Sequence, residues 1–124
     1  MAKSIRKLVD LVHDLESRRD EMIEFMLGER EYAIGSVSVV RRKCGKANCH
    51  CADGQGHPQT LYLFKGTDDR RVCKLVRNDD ADYMTEVGEN YRAFRARLRE
   101  LRATQKLVEQ NLLAILQRRA VTYD

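Results

Sequence analysis

Three cysteines and one histidine lie within fourteen residues, at Cys44, Cys49, Cys51 and His57. Their spacing is Cys-x4-Cys-x-Cys-x5-His, on a segment that also contains several glycines. Thiolate and imidazole groups are ligands that Zn²⁺ prefers, and four of them on a short loop can form a tetrahedral site. The sequence therefore predicts a zinc ion bound by these four residues.

His57 is the predicted fourth ligand, and two alternatives to it stay open. His50 lies between two cysteine ligands, where binding the same ion would strain the backbone. Cys73 lies in a predicted strand and could fold over the loop, although a small buried strand residue is the favoured interpretation there. A site with four protein ligands leaves no open position, so we expect a structural metal and not a catalytic one.

The chain lacks the motifs of common metal and nucleotide enzymes. Zinc deaminases carry His-x-Glu before Pro-Cys-x-x-Cys, and no Glu occurs here between Glu31 and Glu86. GxGxxG, P-loop and HExxH sequences are also absent. A Cys nucleophile with a His base is an alternative, but crowded cysteines fit a metal better. We therefore expect a protein that is not an enzyme.

Two long helices are predicted on either side of the cysteine loop. Residues 4–30 and 79–119 repeat apolar residues at helical spacing. The apolar seam of the first helix contains Ile5, Leu8, Val12, Leu15, Met22 and Met26. The seam of the second contains Met84, Val87, Tyr91, Phe94, Leu98, Leu101, Val108, Leu112 and Ile115, with Gln105 as a polar member. These seams predict a coiled-coil-like hairpin.

Three short strands are predicted between the helices. Residues 36–41, 61–64 and 71–76 are apolar or β-branched, and a Gly- and Asp-containing turn joins the last two. A sheet of this size is marginal alone, so a metal at one end would stabilise it. We predict a single α+β domain over residues 1–124. In it, the helical hairpin is capped by a zinc-stapled, three-stranded antiparallel sheet within residues 36–77.

The second predicted helix is longer than the first. In an antiparallel hairpin the first helix would end opposite residue 105 or so, and apolar residues beyond that point would face water. They are Val108, Leu112, Leu113, Ile115 and Leu116. We expect them to pair with a second copy of the chain, as a homodimer, or with a larger protein.

Positive charge is concentrated around the cysteine loop. The whole chain has a net charge of +4, whereas residues 33–77 alone carry nine Lys/Arg against three Asp/Glu. A compact basic segment favours a polyanionic partner, nucleic acid above all, with DNA preferred to RNA. The residues predicted to contact phosphates are Arg41, Arg42, Lys43, Lys46, Lys65, Arg70, Arg71, Lys74 and Arg77.

A second basic stripe lies on the second predicted helix. Its members, spaced three and four residues apart, are Arg92, Arg95, Arg99, Arg102 and Lys106. Such a stripe can follow a phosphate backbone. The first helix is acidic, however, and charges that flank paired helices commonly attract each other. Ion pairing between the two helices is the favoured interpretation.

No apolar run in the sequence is long enough to span a bilayer. The N-terminal sequence MAKSIRKLVD lacks the apolar centre of a signal peptide. We therefore expect a cytoplasmic protein that does not bind membranes. In a reducing compartment, clustered cysteines more often hold metal than form disulfides.

The segment SVSVVRRKCGKANCHCADGQGH resembles a family of small, uncharacterised bacterial proteins. Their core reads approximately R-R-C-G-K-P-N-C-x-C-A-x-G-x-x-H-G-P-Y-Y-x-L, and their genes often lie near transposases and other mobile-element genes. The similarity covers residues 36–77. Ala47 replaces the usual proline, and Pro58-Gln59-Thr60 replaces Gly-Pro-Tyr. The resemblance implies a zinc-knuckle-like metal site and a connection with DNA transactions, without an assigned activity.

Taken together, these patterns predict a non-enzymatic, zinc-dependent nucleic-acid-binding protein, in the role of an accessory factor of a mobile genetic element. The alternative is a structural adaptor subunit that binds a larger protein through its coiled coil. Retention on DNA or heparin would favour the first, because a positively charged site for phosphates binds both polyanions.

Overall fold

The computed structural model describes residues 3–49, 54 and 56–124. Its elements, in chain order, are α1 (Ile5–Leu27), β1 (Ser36–Arg42), β2 (His57–Lys65), β3 (Arg71–Val76) and α2 (Ala81–Arg119). The strands form one antiparallel sheet in the order β1-β2-β3. The predicted α+β class, with two helices and a three-stranded antiparallel sheet, is confirmed.

The chain divides into two compact units. The helical unit contains α1 together with α2 from Phe94 onward. The sheet unit extends from Arg30 to Ala93, and so contains the sheet and the first part of α2. The candidate metal ligands all belong to the sheet unit.

In the helical unit, α1 has a buried apolar face. Ser4 caps the helix, because its Oγ accepts a hydrogen bond from the backbone N–H of Lys7 at 3.2 Å. The buried residues of α1 are Leu8, Val12, Leu15 and Met22. They follow the heptad spacing of the predicted seam. The helix ends at Leu27, just before Gly28, and so is shorter than the predicted span of residues 4–30.

The polar position in the α2 seam differs from the prediction. Thr104 is buried, whereas the predicted Gln105 is exposed. The apolar positions of a helix recur at steps of either three or four residues. In the structure the seam position after Leu101 is three residues later, at Thr104, whereas the prediction placed it four residues later, at Gln105. The short hydroxyl-bearing threonine therefore occupies the seam, and the longer amide reaches solvent.

The predicted ion pairing between the basic stripe and α1 is not found. The four stripe residues of the helical unit are exposed: Arg95, Arg99, Arg102 and Lys106. Among the described residues, none of these four has an acidic partner within 4.0 Å. Exposed ion pairs stabilise a fold only weakly, so long side chains remain solvated unless the geometry favours pairing. The fifth member, Arg92, instead donates a hydrogen bond to the carbonyl of Val37 at 3.3 Å.

In the sheet unit, β2 begins earlier than predicted. The predicted strand covered residues 61–64, whereas β2 begins at His57 and includes Pro58. Strand β3 pairs with β2 only from Thr60 onward. One edge of β2 is therefore open at Pro58, and a residue without an N–H is tolerated there.

The sheet packs on the first part of α2 through a close contact between Val37 and Gly88. A Cβ added to Gly88 would lie 2.8 Å from Val37 Cγ2, so only glycine allows β1 to approach this closely. The segment before β1 is bound to the same helix. The N–H of Ala33 donates to the carbonyl of Val87 at 3.0 Å, and both residues are buried.

Glu31 adds two further hydrogen bonds between this segment and α2. Its carbonyl accepts a hydrogen bond from Asn90 Nδ2 at 3.2 Å. Its side chain hydrogen-bonds Tyr83, and this bond, reinforced by desolvation and by the negative charges of Glu31 and Glu86, raises the pKa of Tyr83 above its ordinary value. The first turns of α2 thus provide a fixed base for β1.

Among the described residues, neither helix contains an apolar stretch that is long enough and sufficiently free of charged residues to cross a bilayer.

Candidate metal centre

The candidate ligands converge at the end of the sheet where β1 stops and β2 starts. Arg42 and His57 are direct partners at this end. Partner residues in antiparallel strands have their Cβ atoms about 5 Å apart. The loop between them, residues 43–56, therefore leaves and returns at nearly the same point. Because Cys44 lies just after Arg42, the strand pairing brings the first and last predicted ligands close together.

Cys44, Cys49 and His57 form a cluster suited to a metal ion. Their ligand atoms all lie within 4.8 Å of one another, and Cys49 Sγ is 3.2 Å from His57 Nε2. In a tetrahedral zinc site a sulfur and a nitrogen ligand are about 3.5 Å apart, given their usual bond lengths. Cys49 and His57 are half-buried and Cys44 is exposed. The three side chains are close enough to hold one metal ion.

Two glycines and a tight turn give the loop its curvature. The backbone N–H of Cys49 donates to the carbonyl of Lys46 at 3.2 Å, which closes a turn just before the second ligand. Gly45 and Gly56 have φ angles of 84° and 90°. Both values lie in the left-handed region that favours glycine. The chain can therefore reverse direction directly after Cys44 and directly before His57.

Gly56 is also in close contact with the end of β1. A Cβ added there would lie 2.3 Å from the carbonyl carbon of Arg42 and 2.6 Å from the backbone nitrogen of Lys43. The carbonyl of Gly56 accepts a hydrogen bond from the guanidinium of Arg41 at 3.1 Å. Arg41 was predicted as a phosphate contact, and the structure shows that it also binds the residue before His57. In the sequence, the signal for the close approach to β1 was the glycine directly before His57.

The remaining candidates for the fourth ligand have different positions. Cys51, one of the four predicted ligands, and His50, an alternative, lie outside the described residues. Cys73 is paired with Leu63, six residues along β2 from His57 or about 20 Å at strand spacing. Cys73 therefore cannot share an ion with His57. Its side chain is exposed, so the interpretation as a small buried residue was wrong.

All nine basic residues predicted to contact nucleic acid are exposed, but they do not form one patch. The group near the candidate metal ligands, here called the metal-end bases, is Arg41, Arg42, Lys43, Lys46 and Arg77. Lys65 and Arg71 lie at the opposite end of β2, about 26 Å from His57 at strand spacing. Lys74 lies between the two groups, with its Nζ 5.7 Å from the centre of the Phe64 ring.

Arg70 has a structural partner that the sequence analysis missed. Its Nε lies 3.3 Å from Asp68 Oδ2, and its backbone N–H donates to Asp68 Oδ1 at 3.2 Å. These contacts form the turn between β2 and β3, together with the bond from the N–H of Gly66 to the carbonyl of Arg70 at 2.8 Å. The carboxylate of Asp68 is therefore paired with Arg70 and not with Lys65 or Arg71.

Comparisons with known proteins identify a family without an assigned activity. The family model that matches residues 12–84 is described as a domain of unknown function (DUF6788). This match covers more than half of the chain and includes the sheet, the candidate metal ligands and the first turn of α2. No curated protein matches the chain, and no solved structure matches it.

Proposed function

The chain belongs to the DUF6788 family, a domain of unknown function, and we propose that it is a non-enzymatic zinc protein that binds nucleic acid, DNA in preference to RNA. The observation that carries this proposal is the group of exposed metal-end bases beside the Cys44, Cys49 and His57 cluster. The metal would shape the loop, and the bases around it would contact phosphates.

The donor set favours zinc over other common divalent ions. Two thiolates and one imidazole are soft or borderline ligands, which suit Zn²⁺ and not Mg²⁺ or Ca²⁺. Cys51 is the proposed fourth ligand, as the spacing predicts, and it would complete a closed tetrahedral site. Three thiolates with Zn²⁺ have a net charge of −1, so the metal-end bases outweigh the charge of the cluster. The loop would therefore present positive charge to a polyanion.

The helical unit would serve as a coiled-coil-like hairpin. The guanidinium of Arg97, near the start of this part of α2, lies 5.0 Å from the centre of the Phe25 ring, near the end of α1. This is a cation–π distance, and it suits an antiparallel arrangement. The buried face of α1 has heptad spacing, as expected for such packing.

Replacing Lys43 and Lys46 with alanine is expected to weaken DNA binding by roughly tenfold to a hundredfold at 0.1 M salt. Each lost phosphate contact removes about 0.9 from the slope of log K against log salt, so the slope should fall by about 2. The two lysines are exposed, and neither donates a side-chain hydrogen bond within the described residues. A gel-shift titration over a series of salt concentrations measures both quantities. Arg41 is left unchanged because it bonds Gly56.

The matched control is the Lys3→Ala and Lys7→Ala double variant, which removes the same charge from exposed positions at the start of the chain. It should bind DNA nearly as well as the unchanged protein. Equal losses in both double variants would mean that net charge, and not the metal end, determines binding. Absence of binding to DNA and RNA at low salt would reject the proposed function.

A second candidate function, the adaptor, is favoured by a different observation. Apolar residues on the last turns of α2 are between 46% and 59% exposed: Leu107, Leu112, Leu113 and Leu116. Side chains of this kind in one helical segment are typical of a surface that binds another helix. The partner would be a second copy of the chain or a larger protein. A role beside mobile-element proteins stays a prediction from the sequence resemblance.

Changing Leu113 and Leu116 to lysine is expected to convert a dimer into a monomer without loss of bound metal. Desolvated lysines at a helix pairing surface cost more than the apolar contacts they replace. Sedimentation equilibrium, with metal content measured on the same samples, checks both results. Replacement of Arg118 and Arg119 with lysine is the control, since it conserves charge on the last turn of α2. A monomeric unchanged protein would contradict self-association.

A further inference from the structure

A surface cavity of about 740 Å³ lies in the sheet unit, at the end of β2 opposite the metal ligands. Three aromatic residues line it: Tyr62 and Phe64 from β2, and Tyr91 from α2. Lys65 and Arg71 line it as well. The volume lies within the range of ligand sites in proteins, and aromatic rings beside a few charged groups are their usual lining.

The aromatic wall of this cavity is held in place by contacts within the sheet unit. The rings of Tyr62 and Phe64 are stacked, with centroids 4.6 Å apart and planes inclined by 24°. The hydroxyl of Tyr62 donates to the carbonyl of Ile34 at 2.8 Å. Gly35 follows with a φ of 143°, and a Cβ there would lie 3.1 Å from Phe64 Cβ. The chain therefore passes directly against these two rings. The side chains of Tyr62, Phe64 and Tyr91 are all half-buried.

Two positive charges line the same cavity from the other face of the sheet, because Lys65 and Arg71 alternate with Phe64 and Val72 along their strands. Lys65 and Arg71 are direct partners across β2 and β3, and both are exposed. Like charges in this position destabilise a sheet. Among the described residues, neither has an acidic partner within 4.0 Å. Asp68, in the adjoining turn, is paired with Arg70 at 3.3 Å, and Asp69 also lies in that turn. An anion between the two cations would relieve their repulsion.

We propose that this cavity binds one unpaired nucleotide of a single-stranded nucleic acid. Its base packs against Tyr62, Phe64 and Tyr91, and its phosphate lies between Lys65 and Arg71. Aromatic side chains stack with every base, and neighbouring cations follow the backbone of the strand. The inference rests on the proposed function and names its substrate class, because a base inside a duplex cannot enter such a cavity.

Replacing Tyr91 or Phe64 with leucine is expected to weaken binding to a short single strand by roughly 5- to 150-fold, the range measured for lost base stacking. Binding to the duplex of the same sequence should not change. Tyr91→Phe keeps a ring and should bind single strands like the unchanged protein. Tyr123→Leu, which removes a fully exposed aromatic residue, is the matched control. Fluorescence anisotropy with labelled strands measures all of these affinities.

Two further measurements test the same cavity without altering its rings. The Lys65→Gln and Arg71→Gln double variant should lower the salt slope for single strands by about 0.7, the value for the one phosphate that lies between the two residues. A strand that lacks its bases but keeps its sugars and phosphates should bind at least as weakly to the unchanged protein as an intact strand binds to Tyr91→Leu. Equal binding of the intact and base-free strands would overturn the proposal.

Competition with nucleoside 5′-monophosphates tests whether the cavity binds a nucleotide within a strand or a free nucleotide. A single mononucleotide makes one stacking contact and misses the metal-end bases, so it should displace the labelled strand only weakly. A mononucleotide that binds as tightly as the strand would overturn the assignment to nucleic acid and place a free nucleotide in the cavity.

Comparison of the lysine variant with the ring variants distinguishes failure of this inference from failure of the proposed function. If the Lys43 and Lys46 variant weakens binding while Phe64→Leu and Tyr91→Leu bind single strands normally, the cavity proposal is wrong and the proposed function stands. If the ring variants weaken single-strand binding and the lysine variant has no effect, the cavity proposal stands and the metal-end role is wrong.

Discussion

Removal of the proposed metal is expected to unfold the sheet unit and to leave α1 and the C-terminal part of α2 helical. Hydrogen exchange measured by mass spectrometry checks this result. Peptides from β1 and β2 should lose protection when a chelator is added, and peptides from α1 should keep theirs. Cys49→Ala should reproduce the effect without a chelator, because Cys49 Sγ is 3.2 Å from His57 Nε2 at the centre of the cluster.

The size of this effect follows from the small core of the sheet unit. Its buried apolar residues, among those described, are Ala33 and Val87. Closing the loop of residues 43–56 costs about 2 kcal/mol in chain entropy. Burial of two small side chains offsets only part of this cost. A structural zinc ion contributes an apparent 10–16 kcal/mol or so in small zinc domains, which is comparable with the whole stability of a typical domain.

Cys73→Ala is the matched control for the ligand variant. It also removes one thiol from the sheet unit, but at a position about 20 Å along the sheet from His57. Metal content and protection should both remain as in the unchanged protein. X-ray absorption should show three sulfur ligands and one nitrogen ligand, with one sulfur fewer in Cys51→Ala. A native protein without metal, or a Cys49→Ala variant with full protection, would contradict the prediction.

The sequence was sufficient to find three residues of the candidate centre. Cys44, Cys49 and His57 lie close together along the chain, and metal ligands from a short segment leave a readable spacing. The buried face of α1 was also predictable. Its period is local and its apolar residues repeat over several turns, so Leu8 and Met22 are identified without knowledge of what they pack against.

Features that depend on strand register were not predictable in this way. The pairing of Arg42 with His57 determines that β2 includes Pro58 and that Arg41 reaches the carbonyl of Gly56. A local pattern contains no information about which residue lies opposite on another strand. The same limit explains the charge distribution. Residues that form one basic segment in the sequence lie at two ends of β2, because a nine-residue strand separates them.

Gly56→Ala is expected to abolish metal binding and to unfold the loop, whereas Gly45→Ala should keep both. The two glycines have nearly the same φ, 90° and 84°, so alanine has a similar backbone cost of about 1–2 kcal/mol at either position. Their surroundings differ. A Cβ at Gly56 would meet the carbonyl carbon of Arg42 at 2.3 Å, whereas a Cβ at Gly45 would have no atom of the described residues within 4 Å.

The clash at Gly56 is with backbone atoms, which cannot rotate away as a side chain can. Relief would separate the Gly56 carbonyl from the Arg41 guanidinium and move His57, the next residue, away from Cys49. We expect a loss of more than about 3 kcal/mol, in the range of severe backbone substitutions. Thermal unfolding and zinc titration of both variants measure the difference. If both bind metal alike, the close approach of Gly56 to β1 does not hold the ligands together. If both fail alike, the left-handed backbone alone accounts for the loss.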